Sequence, residues 1–96
     1  MKIARVVGAA VSTVKVEMLR GSKLLVVQLA TPADELFGEP FVAVDAVGAG
    51  EGELVLIGEG SAARQTDQSK DAPVDAVIMA ILDSLDVDGQ MTFRKQ

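Results

Sequence analysis

The chain has 96 residues, 49% of them apolar, and a formal net charge of -5. That is the size of one domain, spanning 1–96, but with more hydrophobic material than so small a core can hold, so oligomerisation is expected. The absence of cysteine and histidine leaves no disulfide framework, no thiolate metal site and none of the commonest neutral-pH acid/base groups, while the acidic balance repels phosphate backbones.

No run of about 18 uninterrupted apolar residues is present, which excludes a transmembrane helix. No long apolar segment follows Met1, so the mature chain is expected to begin near it, in a cytoplasmic setting. Residues 2–17 form a long β-prone run. One alternate face carries Ile3, Val7, Ala9 and Val11, and the other Ala4, Val6, Ala10, Val14 and Val16. Neither side is polar, which predicts cover on both. Gly8, near the middle, permits the bulge that lets a long strand curve around a barrel. Residues 20–22 read as a turn and 23–30 as a second strand. The stretch "TPADELFGEP" is a polar connection, 41–47 a third strand and 53–59 a fourth. "GSAAR" has the composition of a single helical turn, and "QTDQSKDA" that of a hydrophilic loop.

In "PVDAVIMAILDSL" the residues Val74, Val77, Ile78, Ile81, Leu82 and Leu85 recur at helical spacing, which predicts a helix over 74–85 with Pro73 suited to its first turn. Ala76, Met79 and Ala80 on its other side would allow close approach by a neighbour. After "DVDGQ", residues 91–95 alternate as a short fifth strand. The sum is a mainly β fold, a small closed or nearly closed five-stranded barrel plugged by one helix in the C-terminal half.

The stretch "VDAVGAGEGELVLIGEGSAAR" looks at first like a phosphate cradle. Gly48, Gly50 and Gly52 form G-x-G-x-G, which lacks both the dinucleotide spacing and the Lys-Ser/Thr end of a P-loop. Such loops lead into a helix, whose free N–H groups hold the phosphate, whereas "ELVLI" here is another strand. A turn between strands, with glycine supplying positive φ or close backbone approach, is the better account. Asp45 interrupts an apolar strand, and a structural bond to nearby backbone N–H groups of the glycine turn is the expected solution for a buried carboxylate. Gly58 and Gly60 precede "SAAR", with Gly60 structural; Ser61 and the N–H groups of that turn could line an opening or hold an anion, and Arg64 could bridge subunits or complement a carboxylate, while a tight turn with a solvated Arg is the plain alternative. Asp75 and Asp83 lack a His, a Cys or a well-spaced carboxylate that would make them metal ligands.

No Ser, Thr or Lys has an activating base at a recognisable spacing, so no catalytic residues are assigned. No cofactor or metal is expected. Single-stranded nucleic-acid binding needs aromatic platforms and positive charge, and only Phe37, Phe41 and Phe93 are aromatic.

The segments "MKIARVVGAAVST", "KLLVVQ", "VAVDAVGAGEGELVLIGEGSAARQ" and "PVDAVIMAILDSLDVDGQMTFRKQ" together resemble the EutN/CcmL family, the pentameric vertex proteins of bacterial microcompartment shells. The most specific parts are D-x-x-G-A-G from Asp45 to Gly50, G-S-A-A-R from Gly60 to Arg64, and P-V-D from Pro73 to Asp75. The resemblance implies an OB-like barrel, a homopentamer with a narrow central pore, and a structural role beside hexameric shell proteins, without nucleic acid or membrane. It places Ser61, Ala62, Ala63 and Arg64 near the five-fold axis or the contacts around it. Gly48 and Gly50 would shape the supporting turn. The competing reading is an OB-type binding module for single-stranded nucleic acid or a small ligand.

Overall fold

A computed structural model describes residues 1–11, 21–64 and 75–96, without the side chain of Arg64. The long opening run begins as β1 (Lys2–Ala10); its predicted continuation over 12–17 lies outside the described residues. β1 serves two neighbours. Its first part, Lys2 to Arg5, pairs with β4 (Leu54–Glu59), and Ala4 to Ala10 pairs with β2 (Lys23–Leu29). The register slips between Val6 and Gly8, leaving Val7 as the extra residue of a β-bulge. Such a bulge bends and twists the strand, which lets one segment contribute to both sides of a closed barrel.

β2 pairs in turn with β3 (Phe41–Asp45), β3 with β5 (Ala76–Ile81), and β5 with β4, so the barrel closes in the order β1-β2-β3-β5-β4. Only the β3–β5 contact is parallel. Inward-facing Ala4, Val6, Leu25, Val27, Ala43, Val55, Ile57 and Ile78 form the core, with Ala49 and Ala76 at its margins. The expectation of a mainly β, OB-like five-stranded barrel therefore holds, but its fifth strand is β5 rather than residues 91–95.

The helix predicted over 74–85 does not form; Pro73 and Val74 lie outside the described residues, and the rest of the segment builds β5 and the start of a hairpin. Ile78 points into the barrel core, while Val77 packs outside it with Val44 and Ala63. A strand buried on both faces loses the polar alternation that marks a half-exposed strand. Its apolar run then satisfies helical spacing by coincidence. Val77, Ile78 and Ile81 are β-branched, a composition that favours strand over helix when the two patterns compete.

The chain then makes β6 (Ser84–Val87) and β7 (Gln90–Arg94), an antiparallel hairpin outside the barrel. Its turn is Asp88–Gly89, with φ of 53° and 79°. Positive φ at both positions suits a type I′ connection, whose twist matches the strands it joins.

Burial on the two faces of β5 can be measured separately. Ile78→Ala is expected to cost about 2–5 kcal/mol in urea unfolding. Val77→Thr, which keeps the shape but buries a hydroxyl, should cost about 1–3 kcal/mol; a neutral Val77→Thr would contradict close packing under Ala63.

Candidate functional site

The glycine-rich turn after β3 folds back onto the barrel. Asp45 is only 5% exposed, and its Oδ1 accepts N–H bonds from Val47 at 3.0 Å and Gly48 at 3.1 Å. Gly48 has φ of 80°, a left-handed conformation that costs glycine little. That reversal aims Ala49 inward, where it joins the core, and the Ala49 carbonyl accepts Lys23 Nζ at 2.8 Å. Gly50 differs from the expectation of positive φ: it lies outside the left-handed region, and a Cβ there would meet Glu53 Oε1 at an ordinary 3.6 Å.

Glu53 is the turn's second organiser, and its role was not anticipated. Its Oε1 accepts the Gly50 N–H at 2.7 Å, while Gly52 N–H donates to the Val6 carbonyl at 2.8 Å. With the N–H groups of Val47, Gly48, Gly50 and Gly52 engaged internally, the turn does not present them as a phosphate nest. A carboxylate three residues after Gly50 is the sequence signal: it can reach back to an amide as a capping side chain does.

The second expected segment, "GSAAR", forms a 3₁₀ turn, Gly60–Arg64, directly after β4. It is fastened from below. Ala63 is fully buried against Val44 and Val77, and the Gly60 N–H donates to the Asp75 carbonyl at 3.0 Å. Gly60, Ser61 and Ala62 are exposed. The bridging role expected of the Arg64 side chain lies outside the described residues. The two turns meet through β3, because Val44 lies under the 3₁₀ turn while its neighbour Asp45 holds the glycine turn.

An open cleft of about 560 Å³ separates the barrel from the β6–β7 hairpin, lined among others by Arg5, Asp34, Leu54, Phe93 and Lys95. Two ion pairs stand in it: Arg5 with Asp34, and Lys95 with Glu53. The backbone adds Leu82 N–H to the Leu54 carbonyl at 2.9 Å and Lys95 N–H to the Asp83 carbonyl at 2.7 Å. The hydrogen bond to Lys95, reinforced by that from Gly50, holds the Glu53 carboxyl below its ordinary range; the same bond to Glu53 raises Lys95. Among the described residues no group of carboxylates is placed to hold a metal ion.

With this geometry in view, the family model for "Ethanolamine utilisation protein EutN/carboxysome" matches residues 1–83. The chain belongs to the EutN/CcmL family. It is 44% identical over 96 residues to the carboxysome shell vertex protein CcmL of Synechococcus elongatus, covering 100% of this chain and 97% of that one. It superposes on the CcmL structure from Nostoc sp. with a TM-score of 0.92 at 46% identity, covering 99% of this chain and 100% of the other. The GrpN pentameric microcompartment shell protein of Rhodospirillum rubrum gives 0.82 at 41% identity, covering 91% and 99% respectively. These EutN/CcmL relatives are structural shell proteins, not enzymes.

Two consequences of the site geometry are measurable. Asp45→Ala leaves the Val47 and Gly48 amides without their acceptor and should lower stability by about 1–3 kcal/mol in urea unfolding, with Asp45→Asn costing less. The Glu53–Lys95 contact has two pH limits. The depressed Glu53 pKa makes its contribution complete above the ordinary glutamate value and lost as pH falls through the folded value; the raised Lys95 pKa makes its contribution complete below the ordinary lysine value and lost as pH rises through the folded one. Amide protection in β7, corrected for the intrinsic pH dependence of exchange, should therefore decrease at both extremes, and Glu53→Gln should remove the acid limb specific to this pair.

Proposed function

We propose that five copies of this chain form a ring that closes a vertex of a bacterial microcompartment shell, inside the cytoplasm. The supporting observation is near-full-length similarity, above 40% identity, to a shell vertex protein and to a pentameric shell protein. A flat layer of six-fold tiles encloses no volume, and a five-fold unit at each corner introduces the missing curvature. Hexameric shell proteins are accordingly the neighbours of this ring. Its role is structural, and it requires no cofactor.

In this reading the 3₁₀ turn belongs near the five-fold axis. Gly60, Ser61 and Ala62 are small and exposed, so five turns can crowd together around a narrow opening, while buried Ala63 fixes each turn to its own barrel. Arg64 follows at the edge of that contact. Gly48 and Gly50 act indirectly, by shaping the neighbouring turn around Asp45 and Glu53.

The competing nucleic-acid reading has a specific weakness. OB-type barrels commonly use the outer side of strands β2 and β3 for oligonucleotides, with aromatic platforms and cations. Here the paired Val26 and Val42 occupy that side, and Phe41 packs against the core.

Native mass spectrometry tests the assignment. The expected species is a homopentamer of the 10.0 kDa chain; a stable monomer at micromolar concentration would overturn it. Salt-sensitive binding of single-stranded DNA below about micromolar would favour the competing module.

A further inference from the structure

A second irregularity in the barrel bears directly on the 3₁₀ turn. The β4–β5 register runs from Leu56 opposite Ala80 to Ile57 opposite Ile78, so Met79 is an extra residue with no opposite number. A bulge re-aims the side chain it carries. Met79 is half-buried and packs on the Val44–Ala63–Val77 cluster beneath the turn, where it is the longest side chain. Its thioether lies against Gly58 of β4. A Cβ built on Gly58 would overlap Met79 Sδ, and would stand 3.4 Å from Met79 Cγ and 3.5 Å from the Ala62 carbonyl carbon. Strand, methionine and turn backbone therefore converge on one point, and β4 has no side chain there.

Gly58 differs in kind from Gly48, Gly52 and Gly60, whose positive φ accounts for them. It lies outside the left-handed region and is buried within a strand, where glycine weakens the sheet. Alanine would suit its backbone, and by restricting the unfolded chain would add stability if the space were free. Met79 occupies that space.

We propose that Met79 is the positioning residue of the 3₁₀ turn and that Gly58 is the notch that admits it. The inference rests on the reading that places Gly60, Ser61 and Ala62 near the five-fold axis, and it names what sets their distance from the barrel. Buried Ala63 pins the far end of the turn. Met79 fills the gap between β4 and the backbone at Ala62, which the shorter valines and alanines of the cluster leave open. An unbranched thioether suits such an irregular gap, because it can follow the contour without a branched carbon. A side chain at position 58 would drive Met79 out from under the turn, and truncation of Met79 would leave a void in the same place. Either change alters the seating of the exposed residues without touching them, and in a ring every copy repeats it.

A double-mutant cycle tests the pair. Urea unfolding is measured at one protein concentration for the wild type, Gly58→Ala, Met79→Ala and the double variant. Gly58→Ala should raise the unfolding constant of the wild type but leave it unchanged, or lower it, in the Met79→Ala background, a coupling of about 10-fold. Additive effects overturn the proposal. Should Gly58→Ala fail to fold, the double variant decides: recovery of folding supports the notch, and failure of both overturns it. Backbone ¹⁵N order parameters give the readout that general loss of packing would not. In folded Met79→Ala those of residues 60–63 should fall from about 0.85 toward about 0.6 while those of β1 and β2 stay rigid. An even fall across the barrel, or no fall in the turn, overturns the positioning role. Native mass spectrometry of the wild type keeps the two readings apart. A monomer with strong coupling defeats the pentameric reading and leaves Met79 as the seat of the turn, whereas a pentamer with additive variants does the reverse.

Discussion

The architecture depends on β5 being buried on both sides. Ile78 must enter the core while Val77 lies beneath the 3₁₀ turn, and the strand must pair with β3 and β4 at once. These demands make closure of the barrel and placement of the Gly60–Arg64 turn one packing problem. A fault in β5 therefore has two outlets: it opens the barrel between β3 and β4, and it withdraws the bed on which Ala63 rests. Because the interior is close-packed, neither change can be absorbed by a small local adjustment.

The same double burial explains what could and could not be read from residue order. The strands expected from residue 2 and over 23–30 and the irregularity expected near Gly8 are local signals that the structure follows, although the bulge residue is Val7, which turns Gly8 and Ala10 to the outer side and leaves Val7 exposed instead of covered. Residues 74–85 misled because periodicity alone does not distinguish a short, fully buried strand from an amphipathic helix. Better discriminants were present. The β-branched Val77, Ile78 and Ile81 favour extension, and Asp88–Gly89 is a strong hairpin signal. Glu53 was harder to see, since its reach to Gly50 is local but its contact with Lys95 joins residues distant in sequence. The bonds around Asp45 were easier to foresee: a carboxylate in an apolar strand needs nearby donors, and the turn supplies them at 3.0 and 3.1 Å.

The glycine-rich stretch acquires a different meaning once its amides are followed. In a phosphate loop the N–H groups converge on empty space awaiting an anion. Here Asp45 collects two, Glu53 a third, and the Val6 carbonyl a fourth. Internal carboxylates thus occupy the role that a nucleotide phosphate would fill elsewhere. This makes the turn a fixed part of the barrel's end and leaves the exposed 3₁₀ turn as the better candidate for contact near an axis. The acidity of the chain is consistent with that division, since several of its carboxylates are committed to holding backbone or lysine side chains.

Closure of the barrel also limits how copies can join. Among the described residues every barrel strand has a neighbour on each side, so the barrel presents no whole edge strand for another chain to extend. Addition along a sheet is an open-ended process that can run into ribbons and fibres. A closed cylinder directs association through side-chain surfaces, whose angles can bring the last subunit back to the first and terminate growth.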